Sequence, residues 1–460
     1  MSVSSAESLP RAGVVLLAAG RSRRIRASRS KLLLDIAGLP VVAWTARAAL
    51  ALEPARVLAV ISPDGEGEGV AAALSDVVDA DTFNSVVQDE PLGTGHAARR
   101  ALSELENTLA PGDDVFLIVG DAPCVRGETL VKLRDARGDA DSAWLAFRPD
   151  DPAAYGRFVL DGSDSEYAAR IVELKNLRDG DAVSPLVWSG VMVTTLGNLS
   201  RYLPMLDDDN RQGEFLLTDI IIHAARDGGR ARIVECDAED GQGVNTRADH
   251  AVAEEIIQGR LRAAAMAGGA GLVAPGFVFL SHDTCLGEDC RIEPWVWFGG
   301  GVEVEGGAVI RSFSHLEGVR VGRGASVGPF ARLRPGTVLG EGVRVGNFAE
   351  VKASRLGDGV RAGHFSYIGD SVVGNDTNIG AGVVTCNYDG FGKHQTHIGA
   401  GSFIGSNSAL IAPVSVGGGA VVGAGSVITD DVPDDALAVA RAETSMTENG
   451  AAARRSRKKK

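Results

Sequence analysis

Between residues 284 and 430 an apolar side chain returns about every six positions. The beat runs through Leu286, Ile292, Phe298, Val304, Ile310 and Leu316, shortens by one step to Val321, and continues through Val327, Leu333, Leu339, Val345 and Val351. It resumes at Leu356, Ala362, Ile368, Val373 and Ile379, breaks, and returns at Ile398, Ile404, Leu410, Val416, Val422 and Ile428. All 23 positions are apolar in a chain that is 45% hydrophobic, and 15 of them are followed directly by Gly, so the pattern is not chance. A period of six matches neither a 3.6-residue helix nor the two-residue alternation of a plain strand, which leaves a short strand plus a turn. Units of that kind build a parallel β-helix. Three strands close a triangular coil of about 18 residues, and coils stack at about the 4.8 Å spacing of paired strands. Each apolar residue points inward onto its counterparts above and below, and the Gly after it permits a turn that a Cβ would obstruct.

The repeat accounts for many of the 59 glycines, and 460 residues suffice for two or three domains. The longest N-terminal apolar run, residues 12–20, is too short to span a bilayer, and the residues before it lack a secretory pattern. Cys124, Cys236, Cys285, Cys290 and Cys386 form no Cys-x-x-Cys pair, so neither a disulfide framework nor a structural zinc site is expected, and a reducing cytoplasm is. The net charge of -14 argues against general nucleic-acid binding, although the last seven residues hold six basic groups. That tail reads as disordered.

Residues 13–237 alternate strand-like runs with helical patterns, as in a layered α/β domain with a largely parallel sheet. Strands are expected at 14–18, 56–61, 85–88, 115–119, 142–147, 156–160, 171–174, 186–193 and 232–236, and helices from 96 to about 109 and at 218–226. The first strand runs into Gly20 and a segment with Arg21, Arg23, Arg24, Arg26, Arg29 and Lys31, with no acid among them. Backbone N–H groups and clustered cations suit a polyphosphate, and a solvated basic loop has the same composition. Gly93 and Gly95 allow close backbone approach to a base or sugar. Asp121 follows Gly120 at the carboxyl end of a strand, where α/β sheets bind ligands; it is a candidate magnesium ligand or, equally, a helix N-cap. Thr246 and Asp249 should start a connecting helix that ends at the Gly-rich residues 268–271.

In the solenoid, Arg334 and Lys352 each follow an inward aliphatic and lie one coil apart, so they should stack on one face. Tyr367 begins the hexapeptide of Ile368 and returns to that face, with His364 at the preceding corner. Two cations, a phenol and an imidazole in one exterior region suit a phosphorylated sugar. The break after Ile379 sends residues 386–395 out of the coil as a loop, and loops on solenoids often cover binding faces. His394 and His397 have no metal-ligand partners at a convincing spacing.

Leu17-Ala18-Ala19-Gly20, Lys31, Leu92-Gly93-Thr94-Gly95-His96, Gly120-Asp121, Glu173 and Gly243-Val244-Asn245 occur in this order ahead of the hexapeptide solenoid. The chain thereby resembles the bacterial bifunctional N-acetylglucosamine-1-phosphate uridyltransferase/glucosamine-1-phosphate N-acetyltransferase family over nearly its whole length. The resemblance implies a Rossmann-like nucleotidyltransferase domain over 1–245, a linker helix over 246–267, a left-handed parallel β-helix acetyltransferase domain over 268–441, and a basic tail over 442–460. It places UTP and the sugar nucleotide on Leu17, Ala18, Ala19, Gly20, Lys31, Gln88, Gly93, Thr94, Gly120, Asp121, Gly156, Glu173 and Asn245, with Mg²⁺ held by Asp121 and Asn245. It assigns sugar binding in the solenoid to Arg334, Lys352, Tyr367 and Asn378, the general base to His364, and acetyl-CoA to Ala381, Asn387, Tyr388, Ser406, Ala424 and Arg441. A cytoplasmic homotrimer acting on small molecules, and a place in cell-wall and lipopolysaccharide precursor synthesis, follow from the same likeness.

Three positions depart from the family pattern. Residues 21–25 read Arg-Ser-Arg-Arg-Ile where x-Gly-Thr-Arg-Met is common, Ser30 stands where Pro precedes the lysine, and Trp188 stands where Asn precedes Thr/Ser-Gly. Weakened uridyl transfer is the expectation, with Trp188→Asn improving use of N-acetylglucosamine-1-phosphate. A nucleotidyltransferase of different sugar or base specificity, an acetyltransferase with an impaired uridyl half, and a non-catalytic trimerisation scaffold are the alternatives.

Overall fold

The computed structural model describes residues 10–457 apart from 21–24, 26–28, 150, 153–154, 163, 173–176, 178–180 and 211–212. The chain forms two compact units, residues 1–258 and 259–460.

In the first unit β1 (Ala12–Leu17) leads to a small hairpin, β2 (Asp35–Ile36) and β3 (Leu39–Pro40). Then come α1 (Val41–Ala49), β4 (Arg56–Ile61), α2 (Gly65–Ser75), β5 (Phe83–Val87), α3 (Thr94–Glu106), β6 (Asp114–Val119), α4 (Gly127–Arg137) and β7 (Ser142–Phe147). After them follow β8 (Arg157–Asp161), β9 (Asp164–Val172), β10 (Val183–Thr195), α5 (Leu196–Tyr202), α6 (Ile220–Arg226) and β11 (Ala231–Glu235), and α7 (Arg247–Ala267) runs from this unit into the second. Among the described residues a nine-stranded sheet runs β5-β4-β1-β6-β10-β7-β11-β9-β8. Strands β5, β4, β1 and β6 are parallel; the near-continuous apolar runs of β4, β1 and β6 are buried on both faces, as sheets covered by helices require, while β5 at the edge is only partly buried. The sheet as a whole is mixed rather than largely parallel, because β10 runs against β6, β7 and β8, and β9 against β8 and β11. β8 and β9 are joined too closely for the crossover that a parallel pair needs. The connecting helix α7 starts as its sequence requires: Asp249 N–H donates to the Thr246 hydroxyl at 3.1 Å, and the Asp249 carboxylate accepts the Thr246 N–H at 2.8 Å.

The second unit is a left-handed parallel β-helix whose three faces are parallel sheets of ten, nine and eight strands. Register is one coil per step, as in Leu333 opposite Val351 and Val351 opposite Ile368. Every beat residue from Ile292 to Ile428 is buried in one core, and Leu286 packs against it. The solenoid also extends past the legible repeat, to Leu272 at one end and Leu437–Ala438 at the other, where the spacing drifts from six. Phe277, Trp295, Phe313, Phe330 and Phe348 stack as an exposed column, with ring centroids 4.5, 6.4, 4.9 and 5.2 Å apart. The last four hold left-handed backbone, costly for bulky residues, and aromatic stacking worth about 0.5–1.5 kcal/mol per pair offsets part of that strain.

The tail expected to be disordered instead carries a short exposed helix, α8 (Gly450–Arg457), whose first turn is rich in alanine, the strongest helix former. No helix among the described residues is long and apolar enough to cross a membrane.

Arg344–Asn347 and Arg361–His364 lie against each other so closely that a Cβ on Gly346 would overlap the carbonyl of Gly363. Gly346→Ala should therefore destabilise the solenoid by about 1–3 kcal/mol, the usual weight of overpacking. A urea titration should show a lower midpoint for the β-helix transition at unchanged slope; an unchanged midpoint would mean that the coils part freely there.

Candidate active sites

The carboxyl ends of the parallel strands open onto a cavity of about 510 Å³ lined by Leu17, Ala19, Gly20, Lys31, Gln88, Gly93, Thr94 and Asp121, together with Pro91 and Glu214. Ala18 and Gly120 are not among the lining residues but hold the strand ends behind them, with Ala18 N–H donating to Val60 at 2.9 Å and Gly120 N–H to Leu17 at 3.0 Å. Gly93 has φ +101 at the start of α3, and a Cβ there would meet the Phe215 carbonyl oxygen at 2.6 Å. Only glycine meets both demands. The Gln88 amide donates to the Gly93 carbonyl at 3.1 Å, and the Thr94 hydroxyl accepts the Leu217 N–H at 3.1 Å.

Asp121 is no helix cap, since α4 begins at Gly127 with Arg126 as its N-cap. Its carboxylate pairs with the Lys31 ammonium, which also donates to Asn245 Oδ1 at 3.0 Å. The Asp121 carbonyl accepts the Val244 N–H at 2.9 Å, so the strand end and the 243–245 loop are tied together. Two oxygen acceptors thus converge on one cation, the donor set that a hard divalent ion takes beside phosphate oxygens. Ser30 caps the short turn Lys31–Leu33 and holds φ -54, close to the value that proline imposes. Its departure from the family pattern therefore leaves the backbone before Lys31 as proline would set it.

Gly156 stands at the start of β8, its carbonyl accepting the Trp188 N–H at 3.0 Å, and it is not among the cavity residues. Glu173 and the basic residues Arg21, Arg23, Arg24 and Arg26 lie outside the described residues. Trp188 is half-buried: its indole packs edge-on against Trp144 with centroids 5.5 Å apart and donates to the Val191 carbonyl at 3.1 Å. A bulge in β10 follows it, with Gly190 at φ +91 pressed against Val119 of the cavity wall. Glu214 went unnoticed in the sequence because its segment has no periodicity and no motif.

On the β-helix, Arg334 and Lys352 stand in one column, and the next member is Gly369. A Cβ on Gly369 would lie 2.5 Å from the Tyr367 hydroxyl and 2.7 Å from the Asn387 amide, so glycine leaves that hollow open. Arg334 pairs with Glu350 at 2.9 Å, and Glu350 lies opposite Tyr367 in register. Asn387, buried, donates to the Tyr367 hydroxyl at 3.4 Å and to Asp370. A side-chain contact with Lys393, and then burial, push the Lys352 ammonium below its ordinary range, against the pull of Asp370. Two lysines held together are a ready site for an anion. Lys393 and Glu350 escaped the sequence reading; Lys393 sits in the loop that leaves the coil, where counting positions gives no register.

His364 ends the strand Arg361–His364 on the neighbouring sheet, exposed, with Nδ1 3.2 Å from Asn347 Oδ1. Arg361, Asn378, Phe403 and Val421 are successive partners in that sheet. Three residues after each come His364, Ala381, Ser406 and Ala424, so these four occupy one corner in consecutive coils. Arg441 donates to the Ala424 carbonyl at 2.6 Å at the end of this column. Tyr388 is exposed on the loop. Asn378 shares the sheet of His364. Burial pushes the Cys236 thiol up to about 12, which removes it as a nucleophile near neutrality.

A nucleotide-sized cavity at strand ends on one unit and a cation-rich face on a hexapeptide β-helix define a two-domain transferase. The family model for a MobA-like NTP transferase domain matches residues 14–202, that for the bacterial transferase hexapeptide (six repeats) matches 318–353, and that for the hexapeptide repeat of succinyl-transferase matches 395–430. The chain is 48% identical over 444 residues to the bifunctional protein GlmU of Azorhizobium caulinodans, covering 96% of this chain and 97% of that protein. It is 46% identical to the protein of that name from Xanthobacter autotrophicus, covering 97% and 98%, and 43% identical to that from Jannaschia sp., covering 94% and 92%. The chain belongs to the family of bifunctional GlmU proteins, and it is a bifunctional uridyltransferase and acetyltransferase.

The packing of Trp188 adds a stability cost to any gain from an amide at that position. Trp188→Asn should destabilise the first unit by about 3 kcal/mol, the low end for removing a packed aromatic, because the indole is only half-buried. Thermal unfolding should show a lowered transition whatever happens to sugar affinity. An unchanged transition would mean that the Trp144 contact carries no weight.

Proposed function

We propose that the enzyme makes UDP-N-acetylglucosamine at two separate sites. The second unit N-acetylates glucosamine-1-phosphate with acetyl-CoA, and the first transfers uridyl from UTP to N-acetylglucosamine-1-phosphate with release of pyrophosphate. The corner column of His364, Ala381, Ser406 and Ala424 carries this reading, since it sets the candidate base at the head of the residues assigned to the acyl donor.

In the acetyl half, Arg334 and Lys352, joined by Lys393, take the sugar phosphate, and Tyr367 and Asn378 take the sugar. An Nδ1–H directed at Asn347 leaves the His364 Nε2 lone pair free. It accepts a proton from the amine as the nitrogen attacks the thioester carbon and the CoA sulfur leaves. No acyl-enzyme is needed, so Cys386 has no covalent role. Acetyl-CoA runs along Ala381, Ser406 and Ala424 to Arg441, with Asn387 and Tyr388 contributed by the loop.

In the uridyl half, the nucleotide and sugar occupy Leu17, Ala18, Ala19, Gly20, Lys31, Gln88, Gly93, Thr94 and Gly120, with Gly156, Glu173 and Asn245 on the sugar side. Asp121 and Asn245 would hold Mg²⁺, which neutralises charge on the transferring phosphoryl group and orients its oxygens. Lys31 supplies a second cation to that group, and the cavity walls align the sugar-phosphate oxygen with the α-phosphorus. A cytoplasmic homotrimer is the proposed assembly: triangular solenoids have flat faces that pack about a threefold axis, and cyclic closure leaves no open interface. Light scattering should give three chains per particle at micromolar concentration, and a stable monomer would contradict this assembly.

The two chemistries should separate by single substitutions. His364→Ala should lower acetylation by about 10²- to 10⁴-fold, the weight of general-base catalysis, and leave uridyl transfer near wild type. Asp121→Asn should lower uridyl transfer and leave acetylation intact. The check is both half-reactions in both variants, with circular dichroism for folding; equal loss of the two activities in either folded variant contradicts two independent sites.

A further inference from the structure

We propose that Asp389 and His394 are positioning residues of the acetyl-transfer site, whose hydrogen bonds fold the 387–395 loop so that Lys393 stands beside Lys352 and grips the sugar phosphate with it. This rests on the reading of Lys352 as a phosphate contact. One carboxylate organises the loop. Asp389 Oδ1 accepts the N–H groups of Phe391 at 2.8 Å and Gly392 at 2.7 Å, and Oδ2 lies 2.7 Å from His394 Nε2. The His394 N–H donates to the Asn387 carbonyl at 2.9 Å, Tyr388 bridges to Lys393, and the Tyr388 hydroxyl donates to Gly390 at 2.8 Å. Apolar burial does not hold the tip, because Phe391 is 98% exposed. The backbone amides and His394 together hold the Asp389 carboxyl far below the usual carboxylate range, so its charge persists wherever the enzyme works.

The loop needs such a fastening because Lys393 is brought toward a group of its own sign. A lysine on a free loop would turn from Lys352 into solvent. Here the turn around Asp389 fixes the backbone on both sides of position 393, while Asn387 ties the loop to the coil through Tyr367 and Asp370. Asp389 thus acts through Lys393 and touches neither substrate.

The test measures acetylation of glucosamine-1-phosphate, and of glucosamine lacking the phosphate, at saturating acetyl-CoA. Variants are Asp389→Ala, Asp389→Asn, Lys393→Ala, Lys352→Ala and the double change at 389 and 393. Asp389→Ala should raise KM for the sugar phosphate about tenfold, the weight of one charge-assisted contact, with kcat within about twofold. Asp389→Asn, which keeps the Oδ1 acceptor, should recover most of the loss. The double variant should be no worse than Lys393→Ala, and glucosamine should be acetylated by Asp389→Ala as by wild type. Additive losses, an equal loss with glucosamine, or a fall in kcat at constant KM would overturn the proposal. If Lys352→Ala and Lys393→Ala also leave KM unchanged, the phosphate reading has failed. If those two raise KM and Asp389→Ala does not, only the positioning role has failed. Circular dichroism verifies folding of the β-helix throughout.

Discussion

Strands of the β-helix donate N–H groups to the strand one coil on, and that ladder decides where the strand-borne side chains Arg334, Lys352, Tyr367 and His364 stand. Arg334 N–H bonds Val351 at 2.9 Å, Glu350 N–H bonds Ser366 at 2.9 Å, and Tyr367 N–H bonds Val383 at 2.9 Å. Because side chains alternate with period two, a slip of one residue would turn Leu333 and Val351 to solvent and drive Arg334 and Lys352 into the core. Burying those charges unpaired costs far more than exposing the aliphatics. The hydrophobic repeat and the polar face therefore reinforce one register. His364 inherits its place from the same constraint, in register with Asn347.

The first unit solves a different problem, joining acceptors that are far apart in sequence. Asp121 ends the buried strand β6, while Asn245 arrives on a loop after β11. The sheet brings their backbones together through the Val244 N–H, and the reciprocal Thr246 and Asp249 bonds that start α7 hold the loop's far end. Lys31 comes from a third segment. Lys31 and Asp121 side chains are only 14% and 19% exposed, so neither charge tolerates loss of its partner as a surface pair would. Lys31 stands opposite Asp121 and balances its charge beside the Asn245 oxygen.

Much of this was legible in the residues, for reasons that also explain what was not. The six-residue beat gave the solenoid, and one-coil spacing gave the face of Arg334, Lys352 and Tyr367, because register in a regular repeat is arithmetic. It failed where regularity fails. Lys393 lies in a loop folded about Asp389, and the first coil departs from the spacing of six. The aromatic column occupies corner positions between the beats, so inward-facing periodicity says nothing of it. In the first unit strand ends were readable from apolar runs, but the antiparallel insertion of β10 was not, since strand direction is set by connections across the sheet. Trp188 is the sharpest case: alternation alone cannot assign its face, because the bulge that follows shifts the phase within β10.

The placement of the proposed base and of the proposed phosphate contacts follows from how steeply each interaction falls with distance. Proton transfer requires heavy atoms within hydrogen-bond reach, and displacement of an ångström costs about a hundredfold in rate. His364 therefore belongs on a strand end clamped by the ladder, beside a Gly346–Gly363 contact that admits no extra atom. Coulomb attraction falls only as the inverse of distance, so a phosphate is held even when its lysine moves somewhat. Lys393 can afford to stand on a loop. In the proposed site the coil therefore carries the base and two of the phosphate cations, and the loop adds a third whose position can adjust.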